Sequence, residues 1–600
     1  MLNRKHLFAL VVVWGIIYVA SCRYPPSLLD DADSVHAEAA REMAESGDWV
    51  TLHANQIRYL EKAPLMYWSI ALSYKVFGVS EFSSRLPIAL ATLGLMLATL
   101  LLGSLAFGER AGFYSALCIG TCAGIYLFTR VLWPDVLLTL FITMAFYCFL
   151  RAVEDPKGSR YAYGIYVFGA LAVLTKGLIG AAFPGIIILA YLLITGELRR
   201  LATLRLFTGA LLFLAIAAPW HLAAGLSNPG SLMAGTPYPS QGRGFFWFYF
   251  MNEHLLRYIG KRFPADYDTV PLPLFLGLHL VWIFPWSFFF PLAARELPRR
   301  ARNLNRDDRF KLFFVVWAAL VIFFFCFSTT QEYYTMPSYP AFALLIGFAL
   351  AKAEAAWQAG RKMFLNSTQV ALACLGVLVF AAGAIAFWST RNTAVAGDIS
   401  STLTRNPDAY ALSLGHVLDL TPATLAELRE PVIGTAMAFL FGTTAALFLR
   451  RRGRHLASNL SIAAMMAAFL FFAQTSFAAF GPYLSSRSLA EVINREYEPG
   501  DTIVINGEYE GGASINFYTR KMVYILNGRS ANLQYGSYFV DAPRIFIDDD
   551  ELGRLWSMSG RVFLFSDSSR LGELSRALRG PSYTLAESGG KLILTNQQSD

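Results

Sequence analysis

The sequence predicts a polytopic α-helical membrane protein of about thirteen transmembrane helices, followed by a C-terminal α/β soluble domain. Two observations carry that prediction, and a third removes its rival. Apolar runs of roughly 17–23 residues, the length that crosses a hydrocarbon core as helix, recur along most of the chain. Beyond Phe480 the composition changes to that of a soluble domain with short β-rich runs. The short alternating segments of a transmembrane β-barrel do not occur. A composition that is 55% hydrophobic, 15% aromatic and 15% charged over 600 residues also does not describe one soluble domain.

The expected spans lie at 7–22, 85–107, 111–128, 133–151, 162–177, 178–194, 204–222, 270–292, 311–328, 336–353, 366–388, 431–450 and 458–480. Arg4 and Lys5 put the N-terminus in the cytoplasm. The basic loops from Arg151 to Arg160, Arg199 to Arg205, Arg295 to Lys311 and Arg450 to Arg454 then all fall inside. That distribution explains the net charge of +8 without nucleic acid as a partner. Val19-Ala20-Ser21-Cys22 has the look of a lipoprotein cleavage site, but the segment is read as an uncleaved first span. The six cysteines fall in or beside apolar spans, which predicts no structural disulfide.

This topology gives a membrane domain at 1–480, with long outer loops at 23–84, 223–269 and 389–430, and an outer domain at 481–600. In the first loop, Val35, Ala39 and Met43 recur at helical spacing opposite Glu38, Arg41, Glu42 and Glu45. The run 64–77 is too short to span and reads as an interfacial helix, with Tyr67, Trp68 and Tyr74 at headgroup level. In the outer domain, Ser488 and Glu491 form a capping-box signature. The runs DTIVING, KMVYIL, RIFID, RVFLF and KLILT read as strands.

The same topology gathers ionisable residues on one face. Asp30, Asp31, Asp33, Lys62, Arg85, Asp135, Lys176, Glu253, His254, Arg257 and Glu332 all fall on the outer side, together with Tyr333 and Tyr334. Charge at span ends is costly and is usually paired or functional. A carboxylate can orient or deprotonate an attacking oxygen, and lysines and arginines can hold a phosphate as it leaves. An apolar groove between spans can hold a lipid tail. The set therefore suits displacement at a carbon bearing a lipid-linked phosphate, and no Walker-type loop or dinucleotide fingerprint points to a soluble nucleotide donor. Each residue also has a plainer role. Asp33 can cap a helix, Lys62 and Lys176 can snorkel, and Asp135 can pair with Arg130. Glu253 and His254 can satisfy each other, and the two tyrosines can belong to an aromatic belt. No metal-ligand spacing singles out His36, His53, His221 or His254, and no cofactor is indicated, a divalent metal being left open.

Several motifs carry a resemblance. AEAAREMAESGDWVTLHANQIRYLEKAPLMYW followed by FGVSEFSSRLP, then LTKG, Pro219-Trp220, NEHLLRY and YYTMPSYPAFALL, resemble the bacterial lipid-linked-sugar glycosyltransferases. That family includes aminoarabinose transferase and is related to the protein O-mannosyltransferases. The resemblance implies a GT-C fold and inverting transfer of a sugar from a polyprenyl-phosphate donor to a lipid or protein acceptor. It implies a bacterial inner-membrane protein with its C-terminal domain in the periplasm. It also implies that Asp135 is the functional Asp at the head of its helix, that Lys62 is the donor-phosphate lysine of an EKPP motif, and that Tyr334 lines the cavity. Where the family reads D-x-D-E-x-x-Y, this chain has Asp30-Asp31-Ala32-Asp33-Ser34-Val35-His36, so the carboxylate role falls on Asp31 or Asp33. Ala63 replaces the first proline of EKPP. The alternative function is a transporter or flippase of lipid-linked intermediates, which predicts an internal repeat and mid-membrane charges. The sequence offers charges at one rim and no convincing repeat.

Overall fold

The computed structural model describes residues 3–23, 26–154, 159–230, 244–264, 270–302, 304–360, 363–395 and 421–598. All thirteen expected segments are helical. Nine helices among the described residues are long and apolar enough to cross a membrane, and Leu272–Trp282 with Trp286–Arg295 forms a tenth unit bent by 95°. The other three are shorter or interrupted: Ser159–Lys176, Ile179–Thr195, and Glu109–Thr121 with Ala123–Phe128. The last is broken at Cys122, whose extended backbone (ψ 148°) frees the Ala123 N–H to donate to the Phe284 carbonyl in the bent unit.

Small residues set the closest helix contacts, as expected where lipid offers no hydrophobic drive between helices. A Cβ on Gly103 would lie 2.6 Å from the Cα of Gly112, so Glu81–Phe107 and Glu109–Thr121 meet backbone to backbone around Gly108.

The long loop after the first span is built as the sequence pattern predicts, with one change. Ala32–Ser46 is a helix that Gly47 ends in the left-handed conformation (φ +75°). β1 (His53–Ala54) and β2 (Ile57–Arg58) make a tight hairpin, and Leu65–Phe77 forms the short helix. Tyr67 and Tyr74, however, face inward rather than sitting at headgroup level. Their hydroxyls are hydrogen bonded to His36 Nδ1 (2.7 Å) and Ser84 Oγ (2.7 Å), because the loop packs as a lid on the bundle. Leu72, Val76 and Phe77 take the exposed face instead.

The C-terminal region carries a six-stranded sheet of order β5-β4-β3-β6-β8-β7. β3 is Thr502–Asn506, β4 Tyr524–Leu526, β5 Phe546–Ile547 and β6 Val562–Asp567, and these four run parallel to one another. β7 (Tyr583–Ser588) and β8 (Lys591–Thr595) close one side antiparallel. β7 has no counterpart among the sequence-predicted runs, since an exposed polar edge strand gives no apolar signal. The expected Ser488 cap is also corrected. The helix spans Arg487–Glu496, Ser488 lies inside its first turn and donates to Ser588 Oγ, and Glu491 pairs with Arg487. The region docks on the first loop. The Asn55 amide exchanges two hydrogen bonds with the Val523 backbone (2.8 and 2.9 Å), and Arg58 grips Asp541 with both guanidinium nitrogens (2.5 and 2.7 Å). The expected loop at 389–430 falls largely outside the described residues.

Candidate active site

Between the first loop and one end of the helix bundle lies a cavity of about 970 Å³. Its front wall is the stretch Leu29–Ala32. Asp31 sits there with φ +66° and ψ −142°, a conformation L-residues avoid and one that costs on the order of 1–3 kcal/mol unless its surroundings impose it. Its N–H donates to the Glu510 carbonyl at 2.6 Å, and its carboxyl opens into the cavity. Among the described residues no side chain donates a hydrogen bond to that carboxyl. Asp31 is exposed to the open cavity, and the surrounding protein still pushes its pKa up to about 6, although the Ala32 N–H and the charge of Lys62 pull the other way.

Asp33 has the opposite surroundings. It is fully buried behind the wall, where it accepts the N–H groups of Leu29 and Leu132 (both 3.1 Å) and an Arg85 guanidinium N–H (3.0 Å). Arg85 also donates to the Pro26 carbonyl at 2.8 Å. This pair ties the first loop to two helices, and neither member lines the cavity. Of the two expected carboxylates, only Asp31 faces the cavity.

The rear wall holds the second acid. Asp135 opens the helix Asp135–Glu154, and its Oδ1 accepts from Lys176 Nζ at 2.6 Å. Its Oδ2 is buried without a hydrogen-bond partner among the described residues. The alternative pairing with Arg130 does not form, since Arg130 donates to Ser21 and stacks on Tyr126 instead. Lys176 ends its helix and lies over the rings of Tyr334 (4.6 Å) and Tyr333 (5.1 Å), while Trp133 stacks on Tyr333 at 3.6 Å. The two tyrosines are therefore cavity walls that hold a cation by its attraction to the ring face, not belt residues.

A ladder of charges forms the third side. Lys62 pairs with Glu61 at 3.4 Å, Glu61 accepts from Arg262 at 2.8 Å, Arg262 donates to both Glu253 oxygens at 2.9 Å, and Arg257 faces Glu253 at 3.5 Å. Lys62 and Arg257 both line the cavity, where cations can hold an anion by charge-assisted hydrogen bonds, and the Lys62–Glu61 contact is a long one. Glu253 therefore belongs to this ladder and not to a pair with His254. His254 accepts the Leu178 N–H on Nε2 (3.1 Å) and meets the Tyr249 carbonyl with Nδ1 (2.5 Å), contacts that assign a neutral ring protonated on Nδ1. Burial lowers its pKa in the same sense. It props the turn at Gly177 and has no nitrogen to spare for chemistry.

Four contributors were not legible in the sequence. Arg262 and Glu61 join across 201 positions. His36, held neutral by burial with a pKa of about 3, lines the front wall. Asn532 reaches in from the C-terminal region, its N–H donating to Glu510 Oε1 at 3.1 Å. Away from this polar end the cavity is lined by Leu178, Ile179, Ala182, Phe324 and Phe325, an apolar trough between helices. Among the described residues no three His, Cys, Asp or Glu side chains converge as a metal site, and Asp135 spends its bonded oxygen on Lys176.

A model of the dolichyl-phosphate-mannose-protein mannosyltransferase family matches residues 61–222. The undecaprenyl phosphate-α-4-amino-4-deoxy-L-arabinose arabinosyl transferase 1 of Proteus mirabilis is 30% identical over 324 residues, 52% of this chain and 53% of that protein. The corresponding transferase of Pseudomonas savastanoi pv. phaseolicola is 30% identical over 353 residues, 57% and 61% of the two chains. The chain thus spans about half the length of the curated relatives it matches. In structure it is similar to ArnT from Cupriavidus metallidurans bound to undecaprenyl phosphate, with a TM-score of 0.79 and 22% identity over 99% of this chain and 98% of that one. That likeness is one of fold. Sequence and fold together show a polytopic membrane protein that resembles the GT-C glycosyltransferases of the aminoarabinose-transferase type.

Proposed function

We propose that the protein is an inverting glycosyltransferase that moves a sugar from a polyprenyl-phosphate donor to a lipid or protein acceptor at the periplasmic face of the bacterial inner membrane. Its N-terminus lies in the cytoplasm, and residues 481–600 form a periplasmic α/β domain. The observation that carries the reading is the cavity itself, in which the Asp31 carboxyl, with no side-chain hydrogen-bond donor among the described residues, shares one space with the cations Lys62 and Arg257 and with an apolar trough. The trough takes the first isoprene units, and Lys62 and Arg257 hold the phosphate. Asp31 receives the acceptor's proton while its oxygen bonds to the anomeric carbon. The bond from that carbon to the phosphate oxygen breaks, and the polyprenyl phosphate leaves with the electron pair. One displacement inverts the anomeric centre. Asp135 keeps Lys176 charged and aimed at the same space through their 2.6 Å contact. Asp33 and Arg85 act as scaffold.

Transfer from a radiolabelled polyprenyl-phosphate sugar tests this. Asp31→Asn should lose activity by about 100-fold or more, the scale of a missing general base, and Asp135→Asn by about 100-fold through a misplaced Lys176. For wild type, kcat/KM should rise with pH through about 6 as Asp31 ionises. Full activity in both variants sinks the reading.

A further inference from the structure

In an open parallel sheet the ligand site lies outside the carboxyl ends of the strands, where the strand order reverses. In this sheet the chain leaves β3 first toward β4 and later returns to β6 on its other side, so the reversal falls between β3 and β6. That position is filled from within the same chain. The Asp30 carboxylate accepts hydrogen bonds there from the Ser514 N–H (3.1 Å), the Ser486 hydroxyl (2.7 Å) and the Lys591 ammonium (2.6 Å). Ser514 follows β3, and Lys591 opens β8 directly opposite Asp567 at the end of β6. The Asp30 N–H is used as well, donating to the Leu484 carbonyl at 2.8 Å. Lys591 is 8% exposed. The next residue is Asp31, whose strained backbone is held by the Glu510 carbonyl from the same region.

A strained conformation persists only where neighbours impose it. The two residues flanking that strain are Asp30, fixed at four points, and Ala32, the start of a helix. We propose that Asp30 and Lys591 form a latch through which the C-terminal region holds Asp31 in its strained, cavity-facing conformation, making both of them positioning residues for the transfer. The effect on rate rests on the glycosyltransferase reading. The geometric effect does not.

With the latch open, Asp31 relaxes toward ordinary φ and its carboxyl leaves the enclosure it shares with Asp30, Glu508, Glu510 and Lys62. Carbodiimide attacks protonated carboxyls, so its adduct at Asp31, quantified by mass spectrometry across pH on the full chain in detergent, reports that enclosure. Half-labelling in wild type is expected near pH 6. Lys591→Met should move the midpoint toward about 4, the ordinary value of an aspartate surrounded by water. Lys591→Arg should keep it near the wild-type value. Unfolding curves accompany each variant. If Lys591→Met does not fold because it strands the Asp30 charge, the double variant Asp30→Asn with Lys591→Met, which removes both charges, decides in its place. In the transfer assay the folded, unlatched variant should lose kcat by about tenfold with donor KM unchanged, the signature of lost orientation. A labelling midpoint that stays at the wild-type value in the folded, unlatched protein overturns the latch. Absence of transfer in wild type overturns the glycosyltransferase reading, while the labelling still decides the latch.

Discussion

Asp31 and Asp33 lie two positions apart and share little else. One is strained, open to the cavity and, among the described residues, without a side-chain donor, and the other is buried and triply bonded. Their amide variants should therefore separate activity from stability. Asp33→Asn leaves the buried Arg85 guanidinium without its counter-charge, an error that costs roughly 3–5 kcal/mol, so its thermal midpoint should drop by many degrees. Asp31→Asn removes a charge that its enclosure already disfavours, so its midpoint should match or exceed that of wild type while transfer fails. Calorimetry or a dye-based melt in detergent reads both, and equal midpoints for the two variants would contradict the assignment. No local pattern could have made this distinction. Both aspartates flank the start of one helix, and the turn that sends them apart is fixed by the Glu510 carbonyl, hundreds of residues along the chain.

Among the elements, the turn between Ser159–Lys176 and Ile179–Thr195 shows why LTKG reads as it does. Gly177 has φ +74°, and a Cβ there would sit 1.9 Å from His254 Nε2. The glycine lets the chain reverse against an imidazole and leaves Lys176 pointing back at Asp135. Gly177→Ala should combine a left-handed backbone penalty of about 1–2 kcal/mol with loss of the His254 prop. Transfer should fall about tenfold or more through misplacement of Lys176, with a modest loss of stability. An alanine variant of wild-type activity would show that this turn does not set the lysine. Helices were the most legible feature of the sequence, because hydropathy is a property of neighbours in the chain. Pairings were the least legible. Glu61 with Arg262, and Asp135 with Lys176 rather than the nearer Arg130, are choices made by packing. The tyrosines of the short helix at Leu65–Phe77 were misjudged for the same reason, since amphipathic spacing does not say which apolar face a lid will turn inward.

For the whole molecule, the cavity belongs to both halves. Glu510 underlies it, holding Asp31 through its carbonyl and Asn532 through its carboxyl. Burial first, and the nearby Asp31 second, push the pKa of Glu510 up to about 8. The unfolded chain releases that proton near the ordinary glutamate value while the fold retains it, so this residue makes stability fall as pH rises from about 4.5 to about 8. Glu510→Gln should abolish that dependence. Its melting midpoint should exceed that of wild type at pH 8.5 and match it at pH 5, and a parallel pair of melting curves would refute the buried, neutral state. The sequence suggested a separate outer domain but not its engagement with the membrane portion, because the contacts that make it, such as Asn55 with Val523, join residues 468 apart.

The ion pair between Asp30 and Lys591 spans 561 positions. At ordinary rates of synthesis, of order 5–20 residues per second, about half a minute to two minutes separate the emergence of its two ends. During that interval the helices are already entering the bilayer in sequence, yet the front wall has nothing to close on. The Asp30–Lys591 contact that fixes the front wall can therefore form only once β8 has been made.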